Sequence, residues 1–180
     1  NIELNSNMGV KEKLVKKLVA TLKELKETNA INSFKLYTSI DTWGPRASYT
    51  RTGLDISVWE RNLDYYLTQT GWPVTFMVTF NLFAVTSFNK LLEKILEWRH
   101  KYNHNEQSKW QRIRFDTPYL RDPIQFDMNI LPKEKFMPYM KKHLQFMHDY
   151  QDDTDRTKFS SLDVEKFRRV VDYMENTVYD

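Results

Sequence analysis

Between Pro73 and Asn81 the chain reads Val-Thr-Phe-Met-Val-Thr-Phe, β-branched or apolar throughout, with Gly71 just ahead of it. A strand exposed on one side alternates apolar with polar residues. A run without that alternation suits a strand covered on both sides, as in a parallel sheet. Parallel strands need long crossovers, and the flanking sequence supplies them. Upstream, Asp55 is placed to cap a helix whose core face is Trp59, Leu63, Tyr66 and Leu67. Downstream, Thr86 or Ser87 can cap a helix carrying Leu91, Leu92, Ile95, Leu96 and Trp98.

The same alternation of elements runs along the whole chain. Residues 2–8 read as a short strand closed by Gly9, and Leu14, Val15, Leu18, Val19, Leu22 and Leu25 recur at helical spacing over 10–27. Glu12, Glu24 and Glu27 dilute the lysines on that helix's other side, so it reads as a solvated face rather than a nucleic-acid patch. Residues 33–40 form a second strand, a polar loop with Gly44, Pro45 and Gly53 follows, and Ile113 to Asp116 form a fourth strand. Beyond an irregular stretch over 117–131, Pro132 opens a helix with Phe136, Met140, Leu144 and Met147 on one side. A last helix begins near Ser161 and buries Val164, Phe167, Val170, Val171 and Met174. The order β-α-β-α-β-α-β, then two helices, predicts an α/β fold with right-handed crossovers: an open doubly wound sheet or an arc of a (β/α) barrel. Residues 1–131 make up the strand-bearing region and 132–180 the trailing helices.

Composition removes several chemistries. The sequence has no Cys, hence no disulfide, no thiol nucleophile and no thiolate for zinc or an iron–sulfur cluster. The net charge of +3 gives no strong argument for nucleic acid or an anionic membrane. No apolar run approaches the roughly 20 residues a membrane helix needs, and a cytoplasmic location is the expectation. Neither G-x-G-x-x-G nor G-x-x-x-x-G-K-[ST] is present. His100 and His104 are four apart with no third ligand nearby, so a polar helix terminus is the preferred reading over a metal site. The chain opens on Asn1 inside a strand-like segment, which points to further sequence upstream.

In either architecture, chemistry collects at the C-terminal ends of the strands. Those ends are polar: Asn5-Ser6-Asn7, Thr38-Ser39-Ile40-Asp41, Thr79-Phe80-Asn81 and Arg114-Phe115-Asp116-Thr117. Each group taken singly suits a cap or a turn. Four on successive strands favour a ligand laid across the mouth of the sheet.

These residues carry a resemblance. Asn5-Ser6-Asn7-Met8-Gly9 resembles the third-strand end of the radical S-adenosylmethionine (SAM) barrel, and Thr38-Ser39-Ile40-Asp41-Thr42 the Ser-x-Asp that closes its fourth strand. Tyr49-Thr50-Arg51-Thr52-Gly53-Leu54-Asp55, followed by Trp59-Glu60-Arg61-Asn62-Leu63, resembles the Arg-x-Gly loop and helix after it. The runs Arg112 to Leu120 and Met128 to Pro132 are similar to members of the twitch/SPASM subgroup. The resemblance implies a partial barrel, strands three to six, truncated at its N-terminus. It also implies reductive cleavage of SAM at a four-iron four-sulfur cluster, with a 5′-deoxyadenosyl radical abstracting hydrogen from substrate. It assigns Asn7, Ser39, Asp41, Arg51 and the backbone at Phe115 to the cofactor, with Ser39 on the ribose or methionine moiety and Arg51 on the carboxylate. It assigns Thr79, Asn81, Asp116 and Tyr119 to the substrate. The family's C-x-x-x-C-x-x-C and Gly-Gly-Glu motifs are missing and would precede Asn1, so no residue here is expected to bind metal or to act as a catalytic group.

Two other readings stand beside it. A non-catalytic module would bind SAM-like ligands or a partner, and an unpaired first strand would invite self-association. A sugar hydrolase would use Asp41 and Asp116 as paired acids roughly 5–9 Å apart.

Overall fold

A computed structural model of the protein describes residues 1–103 and 111–177. Four strands, β1 (Ile2–Ser6), β2 (Phe34–Ser39), β3 (Val74–Met77) and β4 (Ile113–Asp116), form one parallel sheet in the order β1-β2-β3-β4. Helices α1 (Glu12–Glu27), α3 (Ile56–Gln69) and α4 (Phe88–Asn103) make the crossovers, with a short α2 (Pro45–Thr50) before α3. Two helices follow the sheet, α5 (Lys133–Asp149) and α6 (Ser161–Asn176). The fold is therefore α/β with a four-stranded parallel sheet flanked by helices, and the sheet does not close. Among the described residues no helix is long and apolar enough to cross a membrane.

Register decides which residues share a face. Thr38 lies beside Phe76 and Phe76 beside Phe115; one position on, Ser39 lies beside Met77 and Met77 beside Asp116. The first row belongs to a helix-covered face on which Leu36, Val74, Phe76, Ile113 and Phe115 are wholly buried. The Trp59 and Trp98 rings stand 5.5 and 5.3 Å from Phe76, and Trp59 Nε1 donates to Thr38 Oγ1 at 3.1 Å. The alternate row, Lys35, Tyr37, Ser39, Thr75, Met77, Arg114 and Asp116, stays half-buried. β3, expected to be covered on both sides, is thus covered fully on one.

The core continues into the trailing helices. Phe167 of α6 stacks on Phe88 at 4.9 Å and meets Phe80 at 5.7 Å, and His143 Nε2 of α5 bonds the Val85 carbonyl at 2.8 Å. Arg99, with no exposed surface, ties α4 to three other places. Its Nε donates to Ile113 O at 3.0 Å, and its Nη1 to Lys158 O at 2.8 Å and Asp163 Oδ2 at 2.9 Å. Such a charge is tolerable in the interior because its Nε and Nη1 find acceptors, one of them a carboxylate oxygen, while Nη2 is buried with no partner among the described residues.

Three expectations shift. The first strand ends at Ser6 because Met8 takes a left-handed φ of +50°, which breaks extended pairing before Gly9. Leu14 is half exposed rather than in the core; α1 turns Val15, Val19 and Leu22 inward instead. The stretch after Asp41, expected as a loop, contains α2, started by Pro45 at its first position and anchored by the wholly buried Ala47.

Candidate functional site

The alternation of the sheet persists beyond its formal ends. Ile40 N donates to Met77 O at 3.2 Å and Val78 N to Asp116 O at 2.9 Å, and Ile40 and Val78 are both wholly buried on the covered side. Asp41 and Thr79 therefore follow Ser39 and Met77 on the half-open side. Phe80 N to Pro118 O, 2.7 Å, and Leu120 N to Phe80 O, 2.9 Å, carry the pairing of β3 with β4 as far as Leu120. From the other direction, α2 and its exit bring in Tyr49 and Arg51. This excursion is bracketed by Gly44 and Gly53 at φ +82° and +84°, a backbone region that glycine enters at little cost.

These segments enclose a cavity of about 540 Å³ at the C-terminal ends of β2 and β3. Its polar side holds Asp41, Arg51, Thr79 and Asn81; its apolar side holds Tyr49, Phe83, Leu120 and Phe126. The volume falls within the roughly 300–1,000 Å³ of small-molecule sites. Asp41, 4% exposed, accepts from Arg51 Nη2 at 2.7 Å and from Thr79 N at 3.1 Å, both on Oδ1. Burial pushes its carboxyl above the ordinary carboxylate range, against the opposing pull of Arg51 and the Thr79 N–H. Arg51 Nε is buried with no hydrogen-bond partner among the described residues. The Arg51 side chain as a whole is 29% exposed.

Four of the nine residues singled out from sequence, Asp41, Arg51, Thr79 and Asn81, meet in this cavity. Arg51 is paired with Asp41, where the resemblance gave it a cofactor carboxylate. The Asn81 side chain is spent locally, donating to Thr79 O and accepting from Phe83 N, both at 3.0 Å. Asn7 closes a turn by accepting from Gly9 N at 3.1 Å. Ser39 lies on the half-open face beside Met77. Asp116, on the same face, accepts from Thr117 N at 3.1 Å and lies 3.5 Å from Lys166 Nζ. Phe115 and Tyr119 have the opposite parity. The Phe115 side chain is wholly buried with Phe159 and Arg99, and Tyr119 stacks on Tyr173 of α6 at 4.0 Å. Of the histidine pair, His100 is on α4 and His104 lies outside the described residues.

The apolar wall was not foreseen. Tyr49 comes from α2, and Phe83 and Phe126 from the segments after β3 and β4, so nothing in local spacing marks them as neighbours. Comparison of the chain with protein-family models, with curated proteins and with solved structures finds no match.

Proposed function

We propose that the chain forms one wall of a radical SAM barrel: an arc of (β/α) strands whose mouth holds SAM beside a substrate. One observation carries the reading. Asp41, Arg51, Thr79 and Asn81, picked from strand-end motifs, gather in a single cavity of small-molecule size. The sequential strand order, with one sheet face buried under helices and the other half open, further supports an arc over a doubly wound sheet.

The residues present suit the amino-acid end of SAM. The partly exposed Arg51 guanidinium can take its carboxylate, and the Asp41 carboxylate can accept from its ammonium. Ser39, on the half-open face below Asp41, is a hydroxyl for the ribose or methionine chain. SAM, when bound, supplies the group that takes hydrogen from substrate; this chain binds and orients. An iron–sulfur cluster does not fit these residues, because the sequence has no Cys, and no step is assigned to one. That same lack supports a second reading, a module that binds a SAM-like ligand without catalysis.

Titration calorimetry of the chain with SAM and S-adenosylhomocysteine tests binding. The expected outcome is saturable binding that Arg51→Ala weakens at least tenfold; no binding of either ligand would overturn both readings. A Cys-bearing partner polypeptide that restores 5′-deoxyadenosine release would separate the catalytic reading from the binding module.

A further inference from the structure

The rim of the cavity has a chemistry of its own. Tyr49, 73% exposed, has the highest fractional exposure of the large apolar side chains among the described residues, and Phe126 is 40% exposed. They flank Phe83, with ring centroids 5.3 Å (Tyr49–Phe83, edge-on) and 6.1 Å (Phe83–Phe126, tilted) apart. Scattered exposed aromatics need no explanation, but three in sequence around a concavity lose contact with water only when something fills it. Aromatic side chains gain from a further ring, stacked or T-shaped at 4.5–7 Å, beyond what burial of an apolar partner supplies. The hollow is of small-molecule size, and the Asp41–Arg51 pair lines it as well. A flat protein surface docking there would leave the hollow unfilled.

We infer that this rim is a platform for an aromatic ring of the substrate, and that the substrate is a small molecule. The inference rests on the proposed function only for the word substrate; the platform stands on the geometry of the rim. Two sources share this chemistry, a nucleobase and an aromatic amino-acid side chain. Tyr49, Phe83 and Phe126 would grip either by stacking, while Asp41 and Arg51 remain with the amino-acid end of the cofactor.

The test is ligand-observed NMR and calorimetry on the full chain with thymidine and N-acetyltyrosine amide, and with N-acetylleucine amide as the ringless control. Each is measured alone and with saturating S-adenosylhomocysteine. At least one ring-bearing probe is expected to bind, the control not to, and Tyr49→Ala and Phe126→Ala each to weaken binding about 5- to 10-fold. Tyr49→Phe, which keeps the ring, should restore it. The probe that binds identifies the source. Tyr49 is largely exposed, so its removal leaves the fold intact, and circular dichroism of each variant checks this. Binding of neither ring, equal binding of the ringless control, or unchanged affinity in both alanine variants would overturn the platform. Displacement of the probe by S-adenosylhomocysteine would put the cofactor on the rim and overturn the substrate assignment. If S-adenosylhomocysteine does not bind at all, the proposed function fails, yet Tyr49-dependent binding of the free chain to a ring would still uphold the platform.

Discussion

The ion pair in the cavity should be energetically lopsided. Asp41 is buried and Arg51 is not: their side chains are 5% and 29% exposed. Removing one partner of a buried pair costs about 3–5 kcal/mol when the remaining charge cannot be solvated. Arg51→Ala leaves Asp41 with the Thr79 N–H as its remaining donor. Some water will reach the vacated space, so a loss of about 2 kcal/mol at pH 7 is expected, between the buried-pair and exposed-pair limits. Asp41→Asn leaves Arg51 able to turn to water and keeps an oxygen for Thr79, so it should cost under about 1 kcal/mol. The pH dependence follows from the same burial. Asp41 has its folded pKa raised above the unfolded value near 3.9, so its contribution to stability is fullest below that value and is lost as pH rises through the folded pKa. Without Arg51 the folded pKa rises further, so the deficit of Arg51→Ala should shrink as pH falls from 7 toward 4.5. Urea unfolding followed by tryptophan fluorescence reads this directly, since Trp59 and Trp98 sit in the core. An Asp41→Asn variant as damaged as Arg51→Ala, or an Arg51→Ala deficit independent of pH, would refute the reasoning.

Other outcomes follow from the interior. Asp163→Ala leaves Arg99 buried without its ionised acceptor and removes half of the capping box with Ser160, so urea unfolding should show a loss of about 3–5 kcal/mol; a loss under 1 kcal/mol would contradict the role given to that pair. His143 is buried, and burial holds its pKa below the usual 6.5, helped by neighbouring Lys142. Its contribution is present above the unfolded value near 6.5 and lost as pH falls toward the folded one, so stability should drop between pH 6.5 and 5 by at most about 1.4 kcal/mol per unit, and His143→Gln should flatten that slope. The surface pair Lys101–Asp64 is largely exposed, and Lys101→Ala should change stability by less than about 1 kcal/mol in the same assay.

What sequence made legible depended on how local the cause was. β4 lies over the expected residues, and Asp55 caps α3 by accepting from Ser57 N and Val58 N, because a strand run and a side-chain cap are written within a few residues. The six-residue α2 is not legible in sequence because Gly44, Pro45 and Gly53 read as a loop, and its one strong tether, buried Ala47, depends on packing from elsewhere. Strand-end polarity located the mouth of the sheet, and parity then sorted its candidates. Asp41 and Thr79 extend the half-open rows of β2 and β3, whereas Phe115 and Tyr119 fall on the covered rows of β4 and meet helices and their loops instead. Asn7 and Asn81 took the local alternative open to every short amide, a turn bond to a nearby backbone N–H. The aromatic rim joins Tyr49 of α2 to Phe83 and Phe126 from two later segments, a juxtaposition only the tertiary fold creates.

The cavity's role is tested most directly by amide chemical-shift mapping of the isotope-labelled chain during titration with S-adenosylhomocysteine. The Thr79 N–H, bonded to Asp41, should move together with the amides of Arg51 and Asn81 along one saturating curve, while amides lining the charged groove between α3 and α4, such as Glu60 and Glu97, stay still. Shifts confined to that groove, or no shifts at ligand excess, would contradict a cofactor site at the mouth of β2 and β3.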